Sequence, residues 1–314
     1  MKDRRGLSVF VACATVVVAA SLASGCSRDD GYYAGALTAS VVRCLNDATA
    51  LSEDAAEALN GGENVNIPER NVEFIDAFFR GYPTASSLLA ATDHDSEARR
   101  VVANAAALVT SEGVGNRTVE SLESGRRVEA VGTSCFRLME HSADDKQGRF
   151  GIDSLPGAMS RALREPGFVR ATGQSNLLAT RDSTPNLHEL LASSTLMAAA
   201  DDNLMRSSDI PIMLVERVSE MADVIRAPHG NGVVQGDGST ATDHDVATSM
   251  ATILGEVGND PEIVWRVLAA DAEKTSATGD SDTVFARLLA FDWDESTVQQ
   301  QPIYSYLCPK TGRK

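Results

Sequence analysis

Residues 243–290 read DHDVATSMATILGEVGNDPEIVWRVLAADAEKTSATGDSDTVFARLLA and hold the clearest structural signals in the chain. Three apolar patterns with the 3.6-residue period of an α-helix follow one another here. Asp243, Asp260 and Asp282 precede them and are predicted to cap the helices, because an aspartate side chain accepts hydrogen bonds from the free N–H groups of a helix start. Pro261 supports the second start, since proline at the first helical position loses no hydrogen bond.

The apolar positions of these patterns predict the side of each helix that faces the core. They are Val246, Met250, Ile253, Leu254 and Val257 in the first helix, Ile263, Val264, Val267 and Leu268 in the second, and Val284, Phe285, Leu288 and Leu289 in the third. The short connections between the three helices predict that they pack as antiparallel neighbours.

The same helical period recurs through the rest of the chain, and strand signals are nearly absent. Helices are predicted over residues 34–59, 72–79, 96–109, 119–139 and 187–200, and Asp209 is predicted to cap one more, with Leu214, Val218, Met221, Ala222 and Ile225 on its apolar face. We therefore predict an all-α protein, built as a multi-helix orthogonal or solenoid-like array of antiparallel helices.

Glycine, proline and polar residues divide the chain into segments. We predict a lipoprotein signal peptide at 1–25, a lipidated tether at 26–33, an N-terminal helical part at 34–140, a linker or long loop at 141–157, a C-terminal helical part at 158–298 and an irregular tail at 299–314. Tyr304, Tyr306 and Cys308 are unusual for a wholly free tail, which suggests that the tail docks onto the body.

The first residues have the layout of a secretory signal: Lys2, Arg4 and Arg5, then an apolar run over 7–20, then small residues. The apolar run is too short for a stable membrane-spanning helix. The segment LASGC at 22–26 resembles the lipobox of bacterial lipoproteins. That resemblance implies acylation of Cys26, with membrane lipid as a partner and a position on the extracytoplasmic face of the cell membrane. The alternative is an ordinary secreted protein with an incidental cysteine.

The chain is strongly acidic, with a formal net charge of -16. Removing residues 1–25 takes away three basic residues and one acidic residue, which moves the charge to -18. An acidic surface repels nucleic acid, so no nucleic-acid partner is predicted. Among the 28 basic residues 5 are Lys, and this preference for Arg is typical of a GC-rich genome such as that of an actinobacterium.

Three cysteines, Cys44, Cys135 and Cys308, remain after Cys13 is removed with the signal and Cys26 is lipidated. They form no CxxC pair, so a zinc site is not predicted. Outside the cytoplasm a disulfide is permitted. Three thiols allow one bridge and leave one over, and we favour Cys44–Cys135 because both lie on helical patterns.

The chain contains no recognisable catalytic motif. His188-Glu189 begins a zinc-protease pattern, but Ala192 stands where the second histidine is required. The sequence Thr-Asp-His-Asp occurs at 92–95 and 242–245, and we predict that both copies are helix caps and not metal ligands. We predict no catalytic residue, no metal site and no cofactor, and we lean towards a non-enzymatic protein. A catalytic triad assembled from distant residues stays open.

The stretch from about Phe74 to Glu295 resembles the helical "TPR-repeat region" proteins of actinobacteria. The residues that carry the resemblance are Phe74-Ile75-Asp76-Ala77-Phe78-Phe79, Asn259-Asp260-Pro261 and Leu288-Leu289-Ala290-Phe291-Asp292-Trp293. The resemblance implies an α-helical scaffold without a transferable active site.

These observations favour a membrane-anchored extracytoplasmic lipoprotein that acts as a non-enzymatic interaction or scaffold module and has a protein partner. One alternative is an extracytoplasmic ligand-binding lipoprotein, although such proteins usually alternate strands with helices. A second alternative is a hydrolase with a spatially assembled site, which converging histidine and carboxylate groups would support.

Overall fold

The computed structural model describes residues 37–116, 151–165, 168–170, 187–226, 232–235, 239–258, 260–278 and 283–293. Within these ranges the chain forms twelve α-helices, one short 3-10 helix and five short strands. The all-α prediction is therefore confirmed.

The helices before the first long gap in the description are α1 (Ala39–Thr49), α2 (Glu53–Asn60), α3 (Glu69–Arg80), α4 (Ala85–Ala91) and α5 (Ser96–Val109). The 3-10 turn Ile152–Ser154 precedes the later helices, which are α6 (Gly157–Arg164), α7 (Leu187–Met197), α8 (Asp202–Ser207), α9 (Ile210–Arg226), α10 (Asp243–Val257), α11 (Pro261–Thr278) and α12 (Val284–Ala290).

The strands form two small accessory sheets. β1 (Val65–Ile67) pairs in parallel with β2 (Val114–Asn116), with Val65 opposite Val114. β3 (Val169–Arg170), β4 (Val233–Val234) and β5 (Thr240–Ala241) form a three-stranded antiparallel sheet in that order. These strands are two or three residues long, so they connect helices and do not form a layer of their own.

The helices pack as an array in which contact passes from one helix to the next. Helix α1 packs on α3 and α5, α5 packs on α7, α7 packs on α10, α10 packs on α9, and α9 packs on α12 and α11. One apolar core runs through the array, from Phe74 and Phe79 in α3 to Leu190 in α7 and Leu288 in α12. This is the array of helices that the apolar periodicity predicts, and it places α11 and α12 at one end.

The predicted helix over residues 34–59 is wrong in one respect, because the structure has two helices there. Helix α1 ends at Thr49 and Ala50 is extended, with φ -65° and ψ 105°. Ser52 then starts α2, since its Oγ accepts a hydrogen bond from the N–H of Ala55 at 3.2 Å. A serine side chain competes for backbone N–H groups in this way and so favours a helix start over a helix interior.

At two of the three helix starts where an aspartate cap is predicted, a neighbouring threonine caps the helix instead. The Oγ1 of Thr242 caps α10 by accepting from the N–H of Asp245 at 3.2 Å, and the Oγ1 of Thr283 caps α12 by accepting from the N–H of Ala286 at 3.1 Å. Asp243 is the first residue of α10 itself. The prediction for Asp260 is confirmed, because its Oδ1 accepts from the N–H of Glu262 at 2.8 Å.

The residues predicted to face the core in the last three helices are buried with two exceptions. Leu289 is 49 % exposed, so its predicted core position is wrong. Leu268 is partly buried. Leu288 is buried at 1 % exposure, and Leu289, which points about 100° further round the helix, lies at the surface.

Several predictions lie outside the described residues. They concern the signal peptide and tether, the helix over 119–139, Cys135, Cys308, most of the linker at 141–157, and the tail at 299–314. They stay predictions, and so does the division of the chain into an N-terminal and a C-terminal helical part.

Candidate functional site

Two large apolar side chains are exposed in the described part of the chain, and both lie on the last two helices. Trp265 of α11 is 66 % exposed and Leu289 of α12 is 49 % exposed. A contiguous exposed apolar patch marks an interaction surface, whereas single exposed apolar side chains are normal on a protein surface.

Trp265 belongs to an apolar stripe along the outside of α11. Pro261, Ala269 and Ala272 are also exposed and, at 100° per residue, point to the same side of the helix as Trp265. We call these four residues the α11 outer face. Ile263 and Val267 point to the opposite side and are buried. Helix α11 is therefore apolar on two sides, one in the core and one at the surface.

Charged contacts hold the start of α11 firmly against the body. Arg266 donates from Nη1 to the carbonyl oxygen of Ser208 at 2.8 Å and from Nη2 to Oδ1 of Asp209 at 3.1 Å. Arg206 donates from Nε to Oδ2 of Asp260 at 2.6 Å. Burial raises the pKa of Asp209, and the charge of Arg266 opposes that rise. At the start of the neighbouring helix α9, the backbone N–H of Ile210 donates to Oγ of Ser208 at 3.1 Å.

The end of α12 is anchored by a second aromatic side chain. Trp293 is buried, and its Nε1 donates to the carbonyl oxygen of Leu288 at 2.8 Å. The rings of Phe291 and Trp293 meet edge to face, with centroids 4.7 Å apart. The chain is therefore fixed to the body up to residue 293, only a few residues after the exposed Leu289.

The structure brings a serine, a histidine and a glutamate together between α4 and α7. Ser86 Oγ lies 2.8 Å from Nδ1 of His188 and donates to Oε1 of Glu189 at 2.9 Å. The other carboxylate oxygen of Glu189 accepts from the N–H of Ala85 at 2.7 Å. Sequence reasoning considered His188 and Glu189 only as an incomplete zinc-protease pattern and missed this group, because Ser86 lies more than a hundred residues away.

The arrangement of this group differs from that of a catalytic triad, because the glutamate accepts a hydrogen bond from the serine itself. His188 Nδ1 also lies within hydrogen-bond distance of Ser86 Oγ, and the tautomer of the ring decides which of the two atoms donates. A catalytic histidine must accept the serine proton and be oriented by the carboxylate. Glu189 instead satisfies an N–H group at the start of α4. The group therefore joins two helices and does not support the hydrolase alternative.

A partly buried ion pair lies on α9. Arg217 Nη2 and Glu220 Oε1 are 2.9 Å apart. Burial raises the pKa of Glu220, while the nearby positive charges of Arg217, Arg287 and Lys274 act against that rise. Within the described chain, Nε and Nη1 of Arg217 and Oε2 of Glu220 are buried and have no hydrogen-bond partner. The pair links successive turns of α9 and leaves part of its own hydrogen-bonding capacity unused.

The two Thr-Asp-His-Asp segments both cap helices, but with different residues. In the first copy, Asp95 Oδ1 accepts from the N–H of Ala98 at 2.9 Å. In the second copy, Thr242 is the cap and Asp245 completes a capping box with it. The side chain of His94 is 98 % exposed. Over the described residues, no three His, Cys, Asp or Glu side chains lie close enough together to hold a metal ion.

Asp243 of the second copy does not cap its helix, as predicted, but contacts the three-stranded sheet. Its carboxylate forms an ion pair with the guanidinium of Arg170 and accepts from the N–H of Gly232 at 2.8 Å. The hydrogen bonds from Arg170 hold the pKa of Asp243 below its ordinary value. Asp243 thus ties the three-stranded sheet to the start of α10.

Cys44 lies on α1, is 1 % exposed and is disulfide-bonded. The other cysteines of the chain lie outside the described residues, so the predicted pairing with Cys135 stays a prediction. No described helix combines the length and the apolar character that crossing a bilayer requires.

A family model described as a TPR repeat domain matches residues 47–301. The chain therefore belongs to the TPR repeat domain family, and its helical array is an interaction or scaffold module of that class. Stacked helical repeats of this kind offer extended surfaces to protein partners. No curated protein and no solved structure gives a significant match to the chain.

Proposed function

We propose that this protein is a lipid-anchored, extracytoplasmic scaffold that holds a protein partner at the outer face of the cell membrane. The observation that carries the proposal is the match of residues 47–301 to a TPR repeat domain, together with the helical array that the described residues form. Such arrays bind proteins through surface side chains on a rigid frame. Here charged contacts around Arg266 and the buried Trp293 keep the end of the array in place.

The disulfide at Cys44 supports an extracytoplasmic location. Disulfides persist in oxidising compartments and are rare in the reducing cytosol. Cys44 is almost completely buried in α1, as is typical of a structural disulfide. This agrees with the signal-like residues 1–25 and with the lipobox that ends at Cys26. A diacylglycerol group on Cys26 provides two acyl chains, which is enough for stable membrane attachment.

The acidic charge of the chain supports a partner with basic surface residues. Opposite charges on two partners speed association and suppress binding to wrong partners. The formal net charge of -16 also argues against attachment through anionic lipid, so the acyl chains must supply the membrane affinity. Binding of such a partner should weaken as salt concentration rises, because salt screens exposed charges.

The experiment separates anchoring from partner binding by comparing the wild-type chain with the Cys26→Ser variant, both tagged at the C-terminus and expressed in cells. After metabolic labelling with a fatty-acid analogue, label and membrane retention are expected in the wild type and not in the variant. After chemical cross-linking, both chains should recover the same partner, since the helical array is intact in both.

Two results would contradict the proposal. If the unlabelled Cys26→Ser variant still stays at the membrane, an acyl group on Cys26 is not what anchors the protein. If an unrelated lipoprotein, used as the control, recovers the same proteins, the binding is not specific to this helical array and the scaffold role is contradicted. An unmodified mature N-terminus at a residue other than Cys26, measured by mass spectrometry, would also contradict the anchor.

A further inference from the structure

We propose that α12 is a displaceable helix, and that the surface of α9 beneath it binds an amphipathic helix of a partner protein. Helix α12 packs mainly on α9, and one side of it is buried through Val284, Phe285 and Leu288. The inference deepens the scaffold role and rests on it for the existence of a partner. The release of α12 requires neither a partner nor lipidation and is measurable on the chain alone.

Helix α12 has little stability of its own. It is seven residues long, and isolated helices shorter than about 12–15 residues are marginal in water, so its helical form depends on docking. Trp293 donates to the carbonyl oxygen of Leu288 and therefore leaves together with α12. The contacts of Arg266 and Asp260 hold the start of α11 to the body and stay in place.

A charged pair makes the surface under the terminal helices less favourable than an apolar one. Arg217 and Glu220 of α9 are 2.9 Å apart, with side chains 9 % and 22 % exposed. Three of the seven buried side-chain atoms that lack a hydrogen-bond partner in the described residues belong to this pair. Burial raises the pKa of Glu220 more than neighbouring positive charges lower it. Partly desolvated charges with incomplete hydrogen bonding cost stability, and opening the contact removes that cost.

The charges on the neighbouring helices show which way this pair faces. Arg287 of α12 and Lys274 of α11 both act electrostatically on Glu220. Lys274 also forms an ion pair with Oε1 of Glu216 at 2.5 Å. Helix α9 therefore presents two carboxylates to the terminal helices, and each terminal helix brings one basic residue to them.

Helix α12 itself defines the partner that this site accepts. Its buried side chains occupy positions i, i+1 and i+4, with a basic residue at i+3, and these are Val284, Phe285, Leu288 and Arg287. An amphipathic helix with this pattern places the same apolar anchors on α9. Its basic residue lies near Glu220, which agrees with a partner that has basic surface residues.

The first test uses the full mature chain, made soluble by the Cys26→Ser change, and measures hydrogen–deuterium exchange in low concentrations of urea. Relative to their intrinsic rates, amides of α12 should exchange at least about tenfold faster than amides 214–222 of α9. Their exchange should hardly depend on urea, because local opening exposes little surface. Equal exchange with equal urea dependence would show that α12 opens only with the whole body and would overturn the proposal.

A pair of variants tests the role of the charges. Arg217→Met with Glu220→Leu replaces the pair by apolar side chains and should slow the exchange of α12 by about tenfold. The matched control, Asp223→Asn with Arg226→Gln, removes an exposed ion pair of the same helix and should leave the exchange unchanged. Equal effects of the two double changes, or faster exchange in the apolar variant, would overturn the proposal.

The binding site is tested with a fluorescent peptide of residues 283–293 and a chain in which Phe285→Asp releases α12. The body of this chain should keep its helical circular dichroism, and the peptide should bind to it saturably. A peptide with Arg287→Glu should bind at least about tenfold more weakly, whereas Ala286→Glu, at an exposed position, should have little effect. Loss of the whole helical signal, or the absence of saturable binding, would overturn the proposal.

Cross-linking in cells separates this inference from the scaffold role. The Arg217→Met, Glu220→Leu variant should recover less partner than the parent chain, because its α12 is released less often. Equal recovery would overturn the α12 site and leave the scaffold role intact. If the peptide binds but no partner is recovered by either chain, the scaffold role is contradicted and the displacement of α12 is not.

Discussion

The carboxylate of Asp271 in α11 accepts a hydrogen bond from the backbone N–H of Val284 at 3.1 Å. Its second oxygen accepts from the N–H of Phe285, also at 3.1 Å. A buried side chain of one helix therefore satisfies the first N–H groups of the next helix. This contact sets where α12 starts relative to α11, and it places the exposed Leu289 and the anchored Trp293 at the end of the array.

Asp271→Ala should destabilise the protein by about 1–3 kcal/mol, because it leaves two buried N–H groups without an acceptor. Urea denaturation followed by circular dichroism measures the change. Glu273→Ala, two residues along and exposed, is the matched control and should stay within about 0.5 kcal/mol. Equal effects of the two substitutions would show that Asp271 is not needed to cap α12.

The two Thr-Asp-His-Asp segments should respond differently to the same kind of substitution. Asp95→Ala and Thr242→Ala should each cost about 0.5–2 kcal/mol, because each removes the side chain that caps its helix. His94→Ala and His244→Ala should leave the stability and the metal content of the purified protein unchanged. Stoichiometric zinc that disappears in the His244→Ala variant would instead establish a metal site at the second segment.

Three leucines of the last helices provide a graded test of the packing. Leu254→Ala should cost about 2–5 kcal/mol, since Leu254 is completely buried and its removal leaves a cavity. Leu268→Ala should cost less, because this side chain is only partly buried. Leu289→Ala, at an exposed position, should change the free energy of unfolding by no more than about 0.5 kcal/mol. A cost for Leu289→Ala as large as that for Leu254→Ala would place Leu289 in the core.

The Arg170–Asp243 pair predicts a small dependence of stability on pH. The pKa of Asp243 is lower in the folded chain than in the unfolded chain, so ionised Asp243 favours the folded state. This contribution is complete above the ordinary aspartate pKa of about 4 and is lost as the pH falls through the lower, folded value. Since the Asp243 side chain is 48 % exposed, we expect no more than about 1 kcal/mol.

Urea denaturation of the wild type and of Asp243→Asn at neutral pH and at acidic pH measures this dependence. The variant should be less stable than the wild type at neutral pH, and the difference should shrink in acid. In an Arg170→Gln background the Asp243→Asn change should have little further effect. A difference that is constant over the whole pH range would show that the Asp243 charge does not contribute through this pair.

The disulfide at Cys44 gives the last prediction. Peptide mapping of the unreduced protein should recover a Cys44–Cys135 peptide pair and leave Cys308 as a free thiol. Cys135→Ser should then cost about 2–5 kcal/mol, the usual effect of losing a native disulfide, and Cys308→Ser should cost nothing measurable. Recovery of Cys44 bound to any other cysteine would contradict this pairing.

Much of the fold could be predicted from the sequence because helix formation depends on residues three or four positions apart. The apolar period of 96–109 predicts α5 with the same bounds as the structure, and the capping role of Asp260 is correct. The break at Ala50–Ser52 was missed because the apolar period continues through it. The caps of α10 and α12 were each misplaced by one residue, since Thr-Asp offers two adjacent side chains that can accept the same N–H groups.

The sequence by itself determined most of the described helices and their buried sides, because both follow from local spacing and side-chain chemistry, whereas the TPR-type class came from the resemblance of the stretch from Phe74 to Glu295 to a known family. Only the tertiary structure decided which distant groups meet: Glu189 with Ser86 and His188, Asp271 with Val284, and Asp243 with Arg170. It also decided that Leu288 is buried and that Leu289 and Trp265 are exposed. The physical reason is that a helical period defines an apolar side, whereas the packing of neighbouring helices determines how much of that side is covered.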